Sequence, residues 1–500
     1  MREGFGSRGQ VSERFAPRSL GPRPLQPLLP RARYFVLILS SAAAWLVARD
    51  WLAAAGILVL WLGWHYLVLD EGPPVLAMAF TFQWVQVNAG LYYHALTGRS
   101  LDAIELSDYR PMVLIGLGWI LALLVGLRLG MRVVRGPRPE DGPRPEQAFG
   151  WPALLVAYAV AVTVTGTVQQ LAWEVPALTQ AILALTYARL ATVFMMFYRL
   201  TRPRVRWGWL SLLLAMEVVL GFTGYFAGFR EPFMLAAVAL LTAFDRRKVR
   251  HWLALGVFAV VMFLTGLMWM AIRTDYRQDF ESQVFAQSRE ARVERVVVLT
   301  SRWLRRDFGT MLLDLDFFVD RLWVIYYPAL AVTRVPAVVP HEHGAILGRA
   351  LLHVVTPRVL FPDKGVLESD SEMVMRYAGV WAAGEEKGTS IAFGYAAESY
   401  VDFGVPLMFL PILVYAFLIG MAYHGWLRVI RHRELAIAFV TVTFWMCLYL
   451  FERSWIKTLG LTLTMMVYLG GAAFVLDRIL LWQRSPRAVR PEPAPRRARG

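Results

Sequence analysis

The feature that most constrains this chain is one long polar stretch, residues 273–403, which interrupts an otherwise almost continuous series of apolar segments. A helix that spans a bilayer needs about 20 mostly apolar residues, and most of the remaining sequence falls into segments of roughly that length. This pattern predicts an all-α fold, a polytopic integral membrane protein with about 12 transmembrane helices. The polar stretch then becomes one large extracytoplasmic loop between helices 9 and 10.

The predicted helices lie near residues 34–48, 51–69, 75–96, 111–131, 151–172, 177–198, 207–229, 232–244, 252–272, 404–426, 435–451 and 456–481. Arg and Lys cluster in the connections 132–150, 199–206, 245–250 and 428–434, which the positive-inside rule assigns to the cytoplasm. The predicted domain plan follows from these spans. It comprises a disordered basic cytoplasmic tail (1–33), helices 1–9 (34–272), a periplasmic loop with amphipathic helices (273–403), helices 10–12 (404–482) and a second basic cytoplasmic tail (483–500).

Composition excludes several other classes of protein. Hydrophobic residues make up 57% of the chain, which also holds 19 Trp, so a soluble fold is not expected. The net charge of +15 lies in the tails and short loops, whereas the long loop is slightly acidic, so no nucleic-acid partner is expected. The chain has one cysteine, Cys447, which leaves no intrachain disulfide and no cysteine-based metal site.

Arg230 is the first candidate functional residue. It lies with Glu231 at the external turn before the eighth predicted helix, which is short (232–244) and covers only about 20 Å of a roughly 30 Å apolar core. We therefore expect both charges below the external surface, at the floor of a depression. A charge inside a membrane is costly and is by default a functional candidate. The alternative is an arginine that reaches the lipid headgroups and pairs with Glu231.

Two further arginines, Arg273 and Arg277, are four residues apart, so on a continuing helix they share a face. Like charges at this spacing favour a shared anion, and a phosphate suits the forked donors of arginine. Paired or solvated helix-end charges are the alternative. In the loop, residues 308–331 alternate apolar and charged side chains, including Arg321, and predict an amphipathic helix at the membrane interface.

Two loop segments carry more distinctive patterns. Residues 356–364 read Thr-Pro-Arg-Val-Leu-Phe-Pro-Asp-Lys, and residues 388–404 contain a short predicted helix with Glu398 and Asp402 on one face. A carboxylate there is suited to accept a proton from a sugar hydroxyl. The alternative is an interfacial turn whose aromatic side chains anchor the helix. The loop histidines match no standard zinc spacing.

In this order, these segments resemble the Wzy-type polymerases of O-antigen and exopolysaccharide repeat units. The resemblance covers residues 205–480 and rests on Arg230, on Pro357-Arg358 through Lys364, and on Gly394, Glu398, Tyr400 and Phe403-Gly404. Gly365 stands where a second proline is common, and Phe393 where a proline or small residue often precedes the glycine.

The resemblance implies a glycosyltransferase of a bacterial inner membrane, with both termini cytoplasmic. The enzyme would be metal-independent, inverting and without a cofactor. It would transfer a growing glycan from undecaprenyl diphosphate to a new lipid-linked repeat unit. The implied partners are this donor and acceptor, membrane lipids, a repeat-unit flippase and a chain-length regulator.

The residues assigned on this basis fall into three groups. They are Arg230, Glu398 and Arg358 for catalysis, Arg273, Arg277, Arg321 and Lys364 for binding the diphosphate, and Tyr395, Tyr400 and Asp402 for binding the acceptor. An O-antigen ligase has a similar architecture and is the nearest alternative. A lipid-linked-oligosaccharide transporter would need charges distributed through the helices, and a scaffolding protein would need no buried arginine.

Overall fold

The computed structural model of the chain describes residues 30–68, 72–100, 108–134, 144–174, 182, 184, 186–202, 204–222, 230–245, 248–281, 289–356, 361, 364–365, 367–384 and 390–484. These residues form helices and the loops between them, without a strand. The fold is all-α, as the apolar pattern predicts.

The first half of the chain contains α1 (Pro30–Ala48), α2 (Trp51–Leu67), α3 (Val75–Thr97), α4 (Tyr109–Val133), α5 (Trp151–Glu174), α6 (Ala188–Thr201), α7 (Trp207–Phe222), α8 (Arg230–Thr242) and α9 (Val249–Glu281). The second half contains α10 (Arg289–Trp303), α11 (Phe308–Leu322), α12 (Tyr326–Arg334), α13 (Ala345–Val355), α14 (Asp370–Ala378), α15 (Tyr395–Phe403), α16 (Phe409–Val429), α17 (Arg433–Leu448), α18 (Trp455–Thr464) and α19 (Gly470–Arg484). A short π-helical segment, Met465–Leu469, joins α18 and α19 into one continuous rod.

Four helices among the described residues are long and apolar enough to cross a membrane, and they indicate a membrane protein. They are α4, α9 to Gln278, α16, and the rod Trp455–Gln483. Every one of the twelve predicted segments contains a helix, but α1, α2, α5 and α7 offer only shorter apolar lengths. The twelve-span topology and the single large loop therefore stay predictions.

Some helix bounds differ from those predicted. Within the predicted segment 177–198, α6 covers the residues from Ala188 onward, and several of the residues before it lie outside the described part of the chain. α16 begins at Phe409 rather than at 404, and α9 continues to Glu281 instead of ending at 272. The extension is physically reasonable because the polar residues after Ile272 can hydrogen-bond as a helix outside the apolar segment. Arg273 and Arg277 consequently share a face of one continuous helix, as their spacing predicts.

α4 and α16 pack so closely that their backbones touch. A Cβ atom added to Gly126 would lie 2.4 Å from the carbonyl oxygen of Leu413, and one on Gly130 would lie 2.0 Å from that of Phe417. Gly420 on α16 faces the carbonyl of Leu127 in the same way, at 2.3 Å. Glycines spaced four apart are a common device for close packing of membrane helices.

α17 is the central helix, because every residue from Glu434 to Leu448 is buried. α4 is also largely inside the bundle, with 61% of its apolar window buried, whereas only 22% of that of α9 is buried. The exposed apolar surface of α9 is what a lipid-facing helix requires. α17 therefore has a protein environment on all sides, and its two ends mark opposite ends of the bundle.

At the N-terminal end of α17, charged residues from three connections meet, and we call this region the basic end. Arg199 forms a bidentate ion pair with Glu434, with N–O distances of 2.5 and 2.6 Å, and both side chains are buried. Asp477 accepts hydrogen bonds from the backbone and the ring of His432, which precedes α17. Arg144 donates to the carbonyl oxygens of Leu427 and Arg428. Three of the four connections predicted to be cytoplasmic thus lie together.

At the other end, the polar stretch folds back into the bundle. Asp316 on α11 pairs with Arg99, just beyond the end of α3. Farther along, the indole of Trp323 donates to the carbonyl of Val87 at 2.6 Å, and the Val324 N–H donates to that of Gln86 at 3.2 Å. At about 1.5 Å per residue, Gln86 lies roughly 16 Å from the Thr97 end of α3. The segment after α11 therefore reaches the middle of α3.

Candidate functional site

Near the middle of α3, charged side chains and one tyrosine from four elements converge, and we call them the arginine cluster. It consists of Arg230, Glu231, Arg273, Arg321, Tyr449, Glu452 and Arg453. The cluster joins the N-terminus of α8, the far end of α9, the C-terminal turn of α11 and the loop between α17 and α18. Residues more than two hundred positions apart in sequence meet here.

Arg230 contacts Tyr449, the first residue after α17. Its Nη2 donates to the hydroxyl of Tyr449 at 2.8 Å, and its guanidinium carbon lies 4.7 Å from the centre of the Tyr449 ring. Glu231 is a weaker partner, 3.4 Å away. The buried Nε of Arg230 has no hydrogen-bond acceptor among the described residues. Because Arg230 also begins α8, the positive end of the helix dipole adds to its charge.

Arg321 and Glu452 form the second pair of the cluster. Both terminal nitrogens of Arg321 donate to the Glu452 carboxylate, at 2.6 and 2.9 Å. The Arg321 side chain is 52% exposed and that of Glu452 is 25% exposed. Ion pairs this open to solvent contribute little to stability. An incoming anion can therefore exchange with Glu452 on Arg321 at small cost.

Arg273 lies close enough to Arg321 and Arg277 for their charges to repel it. It is half-buried, and no carboxylate pairs with it among the described residues. A half-buried cation that faces other cations is stabilised when an anion binds between them. Arg277, one turn further along α9, takes part in other interactions, so it is not counted in the cluster.

The loop that carries Tyr449, Glu452 and Arg453 is held rigidly from below. The Gln86 side chain donates to the Tyr449 carbonyl at 2.8 Å and accepts from the Phe451 N–H at 2.9 Å. The Tyr395 N–H donates to the Arg453 carbonyl at 2.7 Å. Buried backbone groups outside a helix need such partners. The two ends of this loop are thereby fixed while the Glu452 side chain remains accessible.

Glu398, predicted as a catalytic carboxylate, lies beneath this loop. Its Oε2 accepts the backbone N–H of Trp455 at 2.7 Å, so it caps the N-terminus of α18, and only 2% of the residue is exposed. Burial raises the pKa of Glu398 to about 8, helped by the carboxylates of Asp370 and Asp402 and opposed by the Trp455 N–H and by Lys457. The structure thus separates Glu398 from the open face of the arginine cluster.

The residues predicted to bind the acceptor are also internal. Asp402 is fully buried and accepts the backbone N–H groups of Ile346 and Leu347 at 3.0 and 2.8 Å, so it caps α13. The Tyr395 hydroxyl donates to Gln83 at 2.9 Å, and the Tyr400 hydroxyl donates to the carbonyl of Val335, also at 2.9 Å. Tyr395, Glu398, Tyr400 and Asp402 therefore all hold α15 to neighbouring elements through hydrogen bonds.

Of the predicted diphosphate ligands, Arg273 and Arg321 lie in the cluster with Arg230. Lys364 instead donates to the carbonyl oxygens of His353 and Thr356, at the C-terminus of α13. Arg358 lies outside the described residues. Among the described residues, no group of three or more His, Cys, Asp or Glu side chains is placed to hold a metal ion.

Sequence reasoning missed Tyr449, Glu452, Arg453 and the two glutamines of α3. Signals for them exist: Gln83 and Gln86 are polar residues inside an apolar span, and Glu452-Arg453 occupies a very short connection between two apolar helices. Polar side chains inside a predicted span are expected to have partners or a function. Nothing in the local sequence, however, pairs them with Arg230 or Arg321.

The fold and the cluster define a helical membrane protein with an arginine-lined polar site between its helices. Residues 151–424 match the family described as a domain of unknown function, DUF8712, and the chain belongs to this family. The matched region includes Arg230, Arg273, Arg321 and Glu398 and ends before Tyr449. No curated protein and no solved structure matches the chain.

Proposed function

We propose that this protein is a membrane glycosyltransferase that polymerises undecaprenyl-diphosphate-linked repeat units into a surface polysaccharide. The observation that supports this most is the charge imbalance of the arginine cluster. Among the described residues, four guanidinium groups face two carboxylates, the buried Nε of Arg230 lacks an acceptor, and Arg273 lacks a counter-ion. This is the electrostatic environment that an anionic group requires.

A diphosphate that is esterified on both sides carries one negative charge on each phosphate, which matches the uncompensated positive charge of the cluster. Arginine binds phosphate oxygens through paired N–H donors, which fixes orientation as well as charge. Because the site lies partly out of water, each of these interactions is stronger than it would be at a surface. The cluster is therefore suited to hold a lipid diphosphate.

In the proposed reaction, a hydroxyl of the acceptor sugar attacks the anomeric carbon of the donor glycan. The carbon–oxygen bond to the diphosphate breaks, and the diphosphate leaves with the electron pair. Attack from the opposite face inverts the anomeric centre. Fixed donors such as Arg230 stabilise the charge that develops on the leaving oxygen.

The surroundings of the cluster suit a donor with a lipid tail. Arg273 lies at the end of the apolar length of α9, and the apolar surface of this helix is largely exposed. A polyprenyl chain can run along that surface while its diphosphate reaches the arginines. The donor would then enter sideways from the membrane rather than from solution.

The deciding experiment gives the purified protein, in liposomes, an undecaprenyl-diphosphate-linked repeat unit as the only substrate. We expect a ladder of products whose sizes increase by one repeat unit. Transfer that appears only after addition of a lipid A-core acceptor would identify a ligase instead. Absence of transfer in both assays, combined with uptake of the lipid-linked glycan across the bilayer, would identify a transporter.

Arg230→Ala should slow elongation by roughly a hundredfold or more, the usual effect of removing a fixed donor to a developing anion. The matched control is Arg376→Ala, which removes an arginine of similar exposure that pairs with Glu342 away from the cluster. The control should elongate at the rate of the unmodified protein. Near-normal elongation by Arg230→Ala would contradict the role of Arg230.

A further inference from the structure

Glu452 is the one carboxylate of the arginine cluster that combines an accessible side chain with a fixed backbone. It lies between Phe451 and Arg453, whose backbone groups are held by Gln86 and Tyr395. A quarter of its side chain is exposed, and its charge reaches Arg230 and Tyr449 as well as Arg321. It therefore borders the space that the diphosphate would occupy.

Three other carboxylates near the cluster are less suited to act on a substrate. Glu398 and Asp402 are buried and cap the N-termini of helices, so neither can reach a substrate without breaking a cap. Glu231 is only 14% exposed on its side chain and faces Arg230. A general base must come within hydrogen-bonding distance of the hydroxyl that it deprotonates. Of these four carboxylates, Glu452 satisfies this requirement best.

We propose that Glu452 is the general base that deprotonates the acceptor hydroxyl, and that arrival of the donor diphosphate at Arg321 releases it for this task. This inference rests on the proposed function, since it assigns a residue of the same site to the acceptor step. It replaces Glu398 in that role and gives Glu398 a structural one.

The release follows from the geometry of the ion pair. Without substrate, both oxygens of Glu452 accept hydrogen bonds from the two terminal nitrogens of Arg321, so neither oxygen is available to an acceptor hydroxyl. A diphosphate competes for the same donors with more charge, and the exposed pair costs little to open. Donor binding therefore precedes activation of the acceptor.

The proton balance of the step is simple. The hydroxyl proton moves to the Glu452 carboxylate as the hydroxyl oxygen bonds to the anomeric carbon. The electron pair of the broken carbon–oxygen bond stays on the diphosphate, which remains bound to the arginines. When the diphosphate lipid leaves, Glu452 releases its proton to solvent and pairs again with Arg321.

The test separates binding from turnover in Glu452→Gln, which keeps the shape of the side chain but cannot take up the proton. Binding is measured as the shift in thermal unfolding temperature caused by undecaprenyl diphosphate, and turnover as the rate of the product ladder. We expect binding to be retained or tightened, because the competing carboxylate is gone. Turnover should fall by at least about a hundredfold, as for loss of a general base.

Two further variants sharpen this test. Glu452→Asp keeps a carboxylate and should retain more turnover than the glutamine variant. Glu342→Gln removes one partner of the Arg376–Glu342 ion pair, which is about as exposed as the Arg321–Glu452 pair. The Arg376 side chain is 48% exposed and that of Glu342 is 20% exposed, and this variant should elongate normally.

The possible failures are distinguishable. If the unmodified protein elongates and Glu452→Gln does so within a few-fold, the general-base assignment is wrong and the proposed function stands. Loss of both folding and binding in Glu452→Gln would make Glu452 structural and would equally overturn the assignment. If the unmodified protein neither binds undecaprenyl diphosphate nor forms a ladder, the proposed function fails, and this inference fails with it.

Discussion

Glu398 and Asp402 are one helical turn apart on α15; Glu398 accepts one backbone N–H from the start of another helix, and Asp402 accepts two. Removing the acceptor leaves a buried N–H unpaired, which costs about 1–3 kcal/mol. We therefore expect Glu398→Ala to unfold at a lower temperature, whereas Glu398→Gln keeps an acceptor oxygen and should elongate at a near-normal rate. Thermal unfolding and the ladder assay measure the two effects. A folded but inactive Glu398→Gln would restore Glu398 as the catalytic carboxylate.

The same residue should produce a pH dependence of stability. The pKa of Glu398 rises from its ordinary 4.5 to about 8 because of burial, so the folded protein holds this proton more tightly than the unfolded chain. The stabilisation is fully present below pH 4.5 and is lost as the pH rises through about 8. As the pH rises across this range, the unfolding temperature of the unmodified protein should therefore fall relative to that of Glu398→Gln. Parallel curves for the two proteins would count against a raised pKa.

At the scale of elements, the contact between α4 and α16 depends on the absence of side chains. A methyl group on Gly130 would overlap the backbone of Phe417, which cannot move aside as a side chain can. Gly130→Ala should therefore force the helices apart and cost about 1–3 kcal/mol, the usual effect of overpacking. Gly425→Ala, on α16 with nothing within 4 Å of its Cβ, should be neutral or stabilising. Equal unfolding temperatures for the two variants would contradict this account of the packing.

The elements also differ in how far sequence predicts them. Helix positions follow from apolar length, because a span must bury its backbone and side chains together. The Arg273–Arg277 face follows from helical periodicity. The pairing of Arg321 with Glu452 does not, since tertiary packing brings α11 against the connection between α17 and α18, 131 residues later. The burial of Glu398 could not be predicted from the sequence either. A carboxylate beside Tyr and Ser has the same local pattern whether it caps a helix or faces a substrate.

At the scale of the whole molecule, the arginine cluster and the basic end lie toward opposite ends of α17. α17 starts beside the Arg199–Glu434 pair and ends one residue before Tyr449, whose hydroxyl accepts a hydrogen bond from Arg230. The proposed polymerisation requires the cluster to open away from the cytoplasm, where the positive-inside rule puts the basic end. The orientation of the bundle is thus a direct test of the function.

Labelling of introduced cysteines can measure this orientation, because the single native cysteine, Cys447, is buried and gives little background with a thiol reagent. Val338, between α12 and α13, is 66% exposed, and Arg204, between α6 and α7 at the basic end, is also exposed. In spheroplasts treated with a membrane-impermeant maleimide, Val338→Cys should be labelled at once and Arg204→Cys only after the membrane is permeabilised. The reverse labelling pattern would mean that the arginine cluster faces the cytoplasm. A lipid-linked donor that is used outside the cell could then not reach it, and the proposed polymerase would have to be abandoned.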